Sequence, residues 1–139
     1  MKRWMLAGAL GVCLALAWGC DDSSGGGAAA ALENTRWKLA AWSAGSPDPA
    51  GFDVTADFAD GRIGGRSGVN SYGGDYSASA DGDFSVGALA MTEMAGDPAA
   101  MQVESLYLAL LVQADRWRRA NGQLVLSGAE QDLLLFDPR

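Results

Sequence analysis

From residue 35 onward, short stretches in which apolar and polar residues alternate are separated by turn residues. In one of the clearest, Val54, Ala56 and Phe58 alternate with polar neighbours. A period of two is typical of a β-strand that buries one face. The pattern predicts strands at residues 35–42 (with Trp37, Leu39 and Ala41 on one face), 54–58, 62–65, 75–80, 83–86, 89–94, 116–120, 123–127 and 132–136.

Turn residues join these strands into hairpins. Asp60-Gly61, Asp81-Gly82 and Asn121-Gly122 each separate two strand-like stretches, and Gly readily adopts the positive φ of a tight turn. Pro47 and Pro49 lie in residues 44–51, and they predict a loop there because proline interrupts regular structure.

The period changes after residue 96. Asp97 is a good helix N-cap, and Pro98 suits the first helical position. Residues 99–114 lack Gly and Pro, and one stripe at helical spacing contains Val103, Leu106, Tyr107, Leu110 and Ala114. Many short antiparallel strands with one long helix predict the α+β class.

The N-terminus has the form of an export signal. Lys2 and Arg3 precede an apolar stretch, residues 4–18, that is short for a bilayer span. Small residues at 17 and 19 precede Cys20, and this arrangement resembles the lipobox of bacterial lipoproteins. We therefore predict a signal peptide at 1–19 and a lipid on Cys20. The alternative is an ordinary cleaved signal or an uncleaved anchor, with Cys20 incidental.

A polar tether follows the predicted lipidation site. Residues 20–31 are rich in Asp, Ser, Gly and Ala and have too few large apolar residues to build a core. We predict a flexible linker there and one folded domain at 32–139. This domain is long enough to form a modest core without disulfides or structural metal ions.

Composition excludes several classes of function. The chain has no His, and it has 10 basic and 17 acidic residues, a net charge of −7. Loss of Lys2 and Arg3 with the signal would leave 8 basic and 17 acidic residues, or −9. Such a domain repels nucleic-acid phosphates. Cys13 and Cys20 are the only cysteines, so the domain has no thiol nucleophile, Cys-based metal site or disulfide.

Two segments together resemble the META domain family. Residues 61–76 read GRIGGRSGVNSYGGDY, and residues 89–96 read LAMTEMAG, followed by the helix that contains Glu104. The residues that match the family motifs are Trp37, Gly68, Asn70, Tyr72, Gly74, Tyr76, Thr92, Met94 and Glu104. The resemblance implies a small, incompletely closed antiparallel β-barrel, or strongly curved sheet, with one long helix packed against it. It also implies links to stress tolerance and envelope integrity, with no defined reaction or cofactor.

The resemblance carries one further expectation. In similar META domains the residue before the motif Asn often is Cys, and so is the residue that ends the Thr-x-Met segment. Here these positions are Val69 and Gly96. If the two cysteines normally form a bridge, the backbones at Val69 and Gly96 should still be neighbours.

Few residues suggest chemistry. The Gly-rich stretch lacks the spacing of a phosphate-binding loop and indicates close backbone approaches instead. Ser67 lies in a partial nucleophile-elbow pattern, but no His is present to serve as its base. The Asp residues near Gly61 and Gly82 do not have EF-hand spacing and fit turn geometry better.

Three sets of motif residues have two interpretations each. Asn70 either binds a ligand or bonds the backbone of its own loop. Glu104 is either catalytic or accepts hydrogen bonds from a nearby backbone loop, Arg62 or Arg66. Tyr72 and Tyr76 either form a stacking surface or fill the core.

The strand 116–120 also has two interpretations. Arg116, Arg118 and Arg119 flank Trp117, and they form either a partner-binding patch or a solvated strand whose charges discourage edge pairing.

The sequence as a whole predicts a lipid-anchored, non-enzymatic protein of the bacterial cell envelope. We expect a monomer that needs no cofactor, is held at the membrane by a lipid on Cys20, faces the periplasm or the outside, and does not bind nucleic acid. The alternative is a module that binds an envelope protein or small ligand through the barrel mouth or the Arg116–Arg119 strand. A hydrolase is the third hypothesis, and the missing His disfavours it.

Overall fold

A computed structural model describes residues 31–139, so the predicted signal peptide, Cys20 and all but the last residue of the linker lie outside the described part. The described elements are β1 (Thr35–Trp42), a 3-10 turn (Pro49–Gly51), β2 (Thr55–Ala59), β3 (Arg62–Arg66), β4 (Ser71–Ala78), β5 (Phe84–Val86), β6 (Ala90–Met91), α1 (Pro98–Gln113), β7 (Arg116–Ala120), β8 (Gln123–Ser127) and β9 (Asp132–Pro138).

The strands form one antiparallel sheet that curls into a barrel. Their order is β5-β4-β3-β2-β1-β9-β8-β7, and β6 pairs with β4 beside this path. The β2–β3, β4–β5 and β7–β8 pairs are hairpins, as the turn residues predict, with positive φ at Asp60, Gly82 and Asn121.

One seam, between β5 and β7, is not sealed by a ladder. A single bridge pairs Asp83 with Arg116, and two backbone bonds of 2.9 Å run from Phe84 N–H to the Asp115 carbonyl and from Trp117 N–H to the Gly82 carbonyl. The protein is therefore a nearly closed eight-stranded barrel with α1 packed against it, which confirms the predicted fold class.

Side chains from the barrel and from α1 form one core. The largest fully buried side chains are Tyr107, Phe58, Phe136, Leu32, Leu39, Ile63, Leu111, Leu124, Leu126, Leu134, Val54 and Val103. Tyr107 of α1 makes an edge-to-face contact with Phe136 of β9, with ring centroids 6.4 Å apart. Within residues 31–139, no helix has the length and apolar character to span a membrane.

The sequence pattern misplaces parts of two strands. Strand β4 begins at Ser71 rather than residue 75, because Gly73 and Gly74 lie within its ladder to β3 and are not turn residues. The predicted strand 89–94 is reduced to Ala90–Met91. Beyond it, the N–H of Met94 bonds the side chain of Asn70 in place of a neighbouring strand.

Three smaller predictions are also wrong in part. Ala41 is exposed because the β1–β9 register shifts between Leu39 and Ala41. The loop 44–51 contains the 3-10 turn, which is capped by Asp48. On α1, Leu106 and Leu110 are only half-buried, and the buried stripe is Val103, Glu104, Tyr107 and Leu111.

Candidate functional site

The motif residues converge where three chain segments meet. The β3–β4 loop supplies Ser67 and Asn70, the segment after β6 supplies Thr92 and Met94, and α1 supplies Glu104. Ser67, Asn70 and Glu104 are buried, and we call these five residues the Glu104 network.

Glu104 is the charged centre of this network and is 3% exposed. One carboxylate oxygen accepts from the Ser67 hydroxyl at 2.6 Å and from the Asn70 N–H at 2.8 Å, and the other accepts from the Asn70 amide at 2.8 Å. Burial by itself raises the pKa of Glu104. The hydrogen bonds from Ser67 and Asn70 outweigh it, so the pKa lies below its ordinary value and the side chain is ionised at neutral pH.

Asn70 uses all the hydrogen-bonding capacity of its side chain. Its amide donates to Glu104 and, at 3.2 Å, to the Met94 carbonyl. Its carbonyl oxygen accepts from the Met94 N–H at 2.7 Å and from the Thr92 hydroxyl at 2.9 Å. Asn70 therefore has a structural role, but it holds the neighbouring segment and not the backbone of its own loop.

The prediction for Glu104 is correct in one half. The side chain accepts from a backbone loop, as one interpretation expects. Arg62 and Arg66 lie elsewhere: they pair with Asp75 at 2.8 Å and Asp53 at 3.6 Å on the surface.

Two motif glycines allow close backbone contacts around this network. A Cβ at Gly68, where φ is +113°, would lie 3.0 Å from the Ala100 carbonyl of α1. A Cβ at Gly74 would lie 2.8 Å from the Ala88 carbonyl. Larger residues at these positions would separate the β3–β4 loop from the helix and β4 from the segment that leads to β6.

Tyr72 is a core residue, not part of a stacking surface. Its hydroxyl donates to the Thr55 carbonyl at 2.7 Å, so it accepts the hydrogen of the Tyr107 hydroxyl 2.6 Å away. The two rings meet edge to face with centroids 5.5 Å apart. Burial raises the pKa of both hydroxyls, so both stay protonated.

Tyr76 and Trp37 also belong to the core. The Tyr76 ring packs edge to face on Phe58 at 4.8 Å, and its hydroxyl donates to Glu33 at 2.6 Å. Trp37 is 4% exposed and donates from its indole N–H to the Thr35 hydroxyl. Tyr72 and Tyr76 therefore fill the barrel core, as one of their two interpretations predicts, and Trp37 is buried with them.

The arginines of β7 are engaged within the protein. Arg116 pairs with Asp83 at 2.6 Å across the seam, and Arg118 makes two bonds to Asp132 that lower the pKa of this carboxyl. Arg119 donates to the Ala31 carbonyl and lies 5.3 Å from the centre of the Trp37 ring. Two of the three charges are thus paired, which favours a structural role for the strand.

Val69 and Gly96 are neighbours. A Cβ built on Gly96 would lie 3.4 Å from Cβ of Val69 and 2.7 Å from its Cγ2. Cβ atoms in disulfides are about 3.5–4.5 Å apart. The structure confirms the predicted proximity of these two positions, with Val69 packed where the bridge would be.

Sequence reasoning missed Ser67 as a member of the network. It considered Ser67 as a nucleophile, but the side chain is completely buried and donates to Glu104. The only signal was its position, three residues before Asn70 in the same Gly-rich loop.

Within residues 31–139, no group of three or more Cys, Asp or Glu side chains is arranged to hold a metal ion.

The sequence model of the META domain matches residues 30–139. The chain belongs to the META domain family. An NMR structure of a protein from Burkholderia xenovorans is similar to this META domain with a TM-score of 0.64 and 33% identity, covering 80% of this chain and 86% of that one. A second NMR structure has a TM-score of 0.58 and 21% identity, covers 78% and 92%, and shows the shared fold alone. No curated protein matches the chain at a significant level.

Proposed function

We propose that this META-domain protein is anchored by a lipid on Cys20, acts in the bacterial cell envelope without catalysing a reaction, and contributes there to stress tolerance and envelope integrity. The observation that carries the non-enzymatic part is the Glu104 network, in which the polar motif residues bond one another. Their side chains join the β3–β4 loop, the segment after β6 and α1. Motif residues used in this way support a rigid scaffold.

The chemistry of the buried groups supports the same proposal. Ser67 is inaccessible to a substrate, and its hydroxyl has two acceptors within the protein, Glu104 at 2.6 Å and the Asn70 carbonyl at 3.0 Å. Every buried side-chain nitrogen or oxygen in residues 31–139 has a hydrogen-bond partner. A catalytic group usually needs access to substrate and a pKa suited to its task, and the lowered pKa of Glu104 suits a structural anion better than a general acid.

The alternative, a binding module that uses the Arg116–Arg119 strand, has less support. The guanidinium groups of Arg116 and Arg118 are already paired with carboxylates. An acidic partner would have to displace Asp83 and Asp132 from them.

Anchoring is tested by Cys20→Ala in the full-length chain. If Cys20 carries lipid, the substitution should stop processing or move the protein from the membrane fraction to the soluble fraction. The physical reason is that acyl chains supply about 0.8 kcal/mol of membrane affinity for each buried CH₂. Fractionation and intact-mass spectrometry check this, with Ser24→Ala in the same tether as the control. A mature wild-type protein without lipid would refute the anchoring proposal.

The absence of catalysis is tested separately. We expect the purified full-length protein to show no hydrolysis of ester, amide or glycoside substrates above the rate of the Ser67→Ala variant. The sequence has no His, and Ser67 is buried. Robust turnover abolished by a single Ser→Ala substitution would show that the protein is an enzyme.

A further inference from the structure

All three methionines in residues 31–139 line one depression on the surface. Met91 comes from β6, Met94 from the segment after it, and Met101 from the first turn of α1. The depression has a volume of about 380 Å³, and Glu93 and Glu104 also line it. The three methionines thus come from separate elements and line the same depression.

Met101 is half-buried, but core packing does not explain why the other two side chains lie on the surface. Met91 is 42% exposed and Met94 is 53% exposed, and they are two of the three exposed large apolar side chains in the described part of the chain. In many proteins Met fills gaps in the core. Here the buried core of residues 31–139 contains no Met. The exposed pair follows the spacing Met-x-x-Met in an extended segment.

The structure fixes the backbone at each methionine. Met91 pairs with Tyr72 in the β6–β4 ladder. Met94 is held at both its N–H and its carbonyl by the Asn70 side chain. The N–H of Met101 donates to the Asp97 carbonyl within α1. The three Cα positions are therefore set by the fold, while each flexible side chain can adjust the position of its sulfur.

We propose that Met91, Met94 and Met101 form a binding site for a soft monovalent metal ion, Cu(I) or its chemical analogue Ag(I). Thioether sulfur is a soft ligand that selects Cu(I) over harder divalent ions. The described residues contain no imidazole or thiolate that would favour zinc or Cu(II). The site does not depend on the lipid anchor or on the absence of catalysis proposed above.

The charge around the depression suits a cation. Three thioethers are neutral, so the bound ion keeps its positive charge. Glu93 is an exposed carboxylate in the lining, and the ionised Glu104 also lines the depression. Asp97, also exposed, precedes the turn that carries Met101. These carboxylates offset the charge of the ion without having to coordinate it.

Silver titration of the full-length chain in detergent tests the site. Cys13→Ala and Cys20→Ala remove the thiols of the N-terminal segment, and ¹³C-methyl labelling of methionine reports each thioether. Ag(I) should shift the methyl signals of Met91, Met94 and Met101 together and saturate at one equivalent. Cu(I), titrated without oxygen against a chelator, should displace Ag(I) from the same signals, whereas Zn(II) should not shift them.

The matched variant replaces the three methionines by leucine. Met→Leu keeps the apolar volume and removes only the sulfur, so the folded state should persist. The triple variant should lose the one-equivalent binding, and each single variant should weaken it. Unshifted methyl signals at one equivalent of Ag(I), or equal binding by the triple variant, would overturn the proposal. If the triple variant does not fold, the residue-resolved shifts and the single variants decide.

Discussion

Glu104→Leu is expected to lower the free energy of unfolding by about 3–5 kcal/mol, since an unpaired buried donor costs about 1–3 kcal/mol. The substitution leaves the backbone N–H and one side-chain N–H of Asn70 without their acceptor, whereas the Ser67 hydroxyl can still donate to the Asn70 carbonyl 3.0 Å away. Urea denaturation of the full-length protein measures this loss. A change below about 1 kcal/mol would contradict a structural role for the network, because surface substitutions seldom exceed about 0.5 kcal/mol.

Glu104→Gln tests the charge of the carboxylate separately, because the substitution keeps the shape of the side chain and removes the charge. The Asn70 amide cannot turn over, since its oxygen accepts from the Met94 N–H and the Thr92 hydroxyl. Either orientation of the substituted side-chain amide would therefore place a donor against a donor of Asn70. We expect a loss of about 1–3 kcal/mol. Glu93→Gln, on an exposed carboxylate close by, is the control and should be neutral within about 0.5 kcal/mol.

We also expect the stability difference between wild type and Glu104→Gln to depend on pH. The folded-state pKa of Glu104 lies below its ordinary value of 4.5, so the unfolded chain takes up the proton first as the pH falls. The stabilisation from this group is complete above about pH 4.5 and is lost as the pH falls through the folded pKa. The stability gap between wild type and Glu104→Gln should therefore narrow below that pH. Glu33 and Asp132 also have lowered pKa values, but they titrate in both proteins and cancel.

Val69→Cys with Gly96→Cys should form a disulfide and raise the free energy of unfolding by about 3–4 kcal/mol, the gain expected for a closed loop of about 28 residues. The two Cβ atoms would be 3.4 Å apart, just below the usual disulfide range of about 3.5–4.5 Å, so a shift of a few tenths of an ångström suffices. Substitution of Val69 also removes the Cγ atoms that would otherwise crowd a side chain at residue 96. Thermal unfolding with and without reductant, together with thiol titration, measures the effect.

Single substitutions are the controls for the bridge. Gly96→Ala alone should destabilise the protein, because its Cβ would lie 2.7 Å from Val69 Cγ2. Val69→Cys alone should cost only the lost packing of a methyl group, about 1 kcal/mol. Thiols that stay free under oxidising conditions, in a folded double variant, would show that the two backbones are farther apart than the structure places them.

Several elements could be predicted from the local sequence because turn preferences and helix capping, which involve only neighbouring residues, determine them. The Asp60-Gly61 and Asn121-Gly122 hairpins form where a positive φ is needed. Helix α1 begins at Pro98 after its Asp97 cap. The barrel was predicted from the motif resemblance, because alternation of apolar and polar residues predicts strands but not how they close into a barrel. The failures lie where tertiary contacts override local pattern: glycines within β4, the register shift in β1, and the segment after β6 that bonds a side chain.

The sequence by itself determined the kinds of residue available: an acidic chain without His, one amphipathic helix, many short strands, and a motif that identifies the META family. It also identified Asn70 and Glu104 as motif residues, each with two possible roles. Only the tertiary structure decided that the two side chains bond each other, because residues 34 positions apart meet through the packing of α1 on the β3–β4 loop. The same packing brings Met101 to Met91 and Met94. Such long-range approaches depend on the whole barrel and have no local signal.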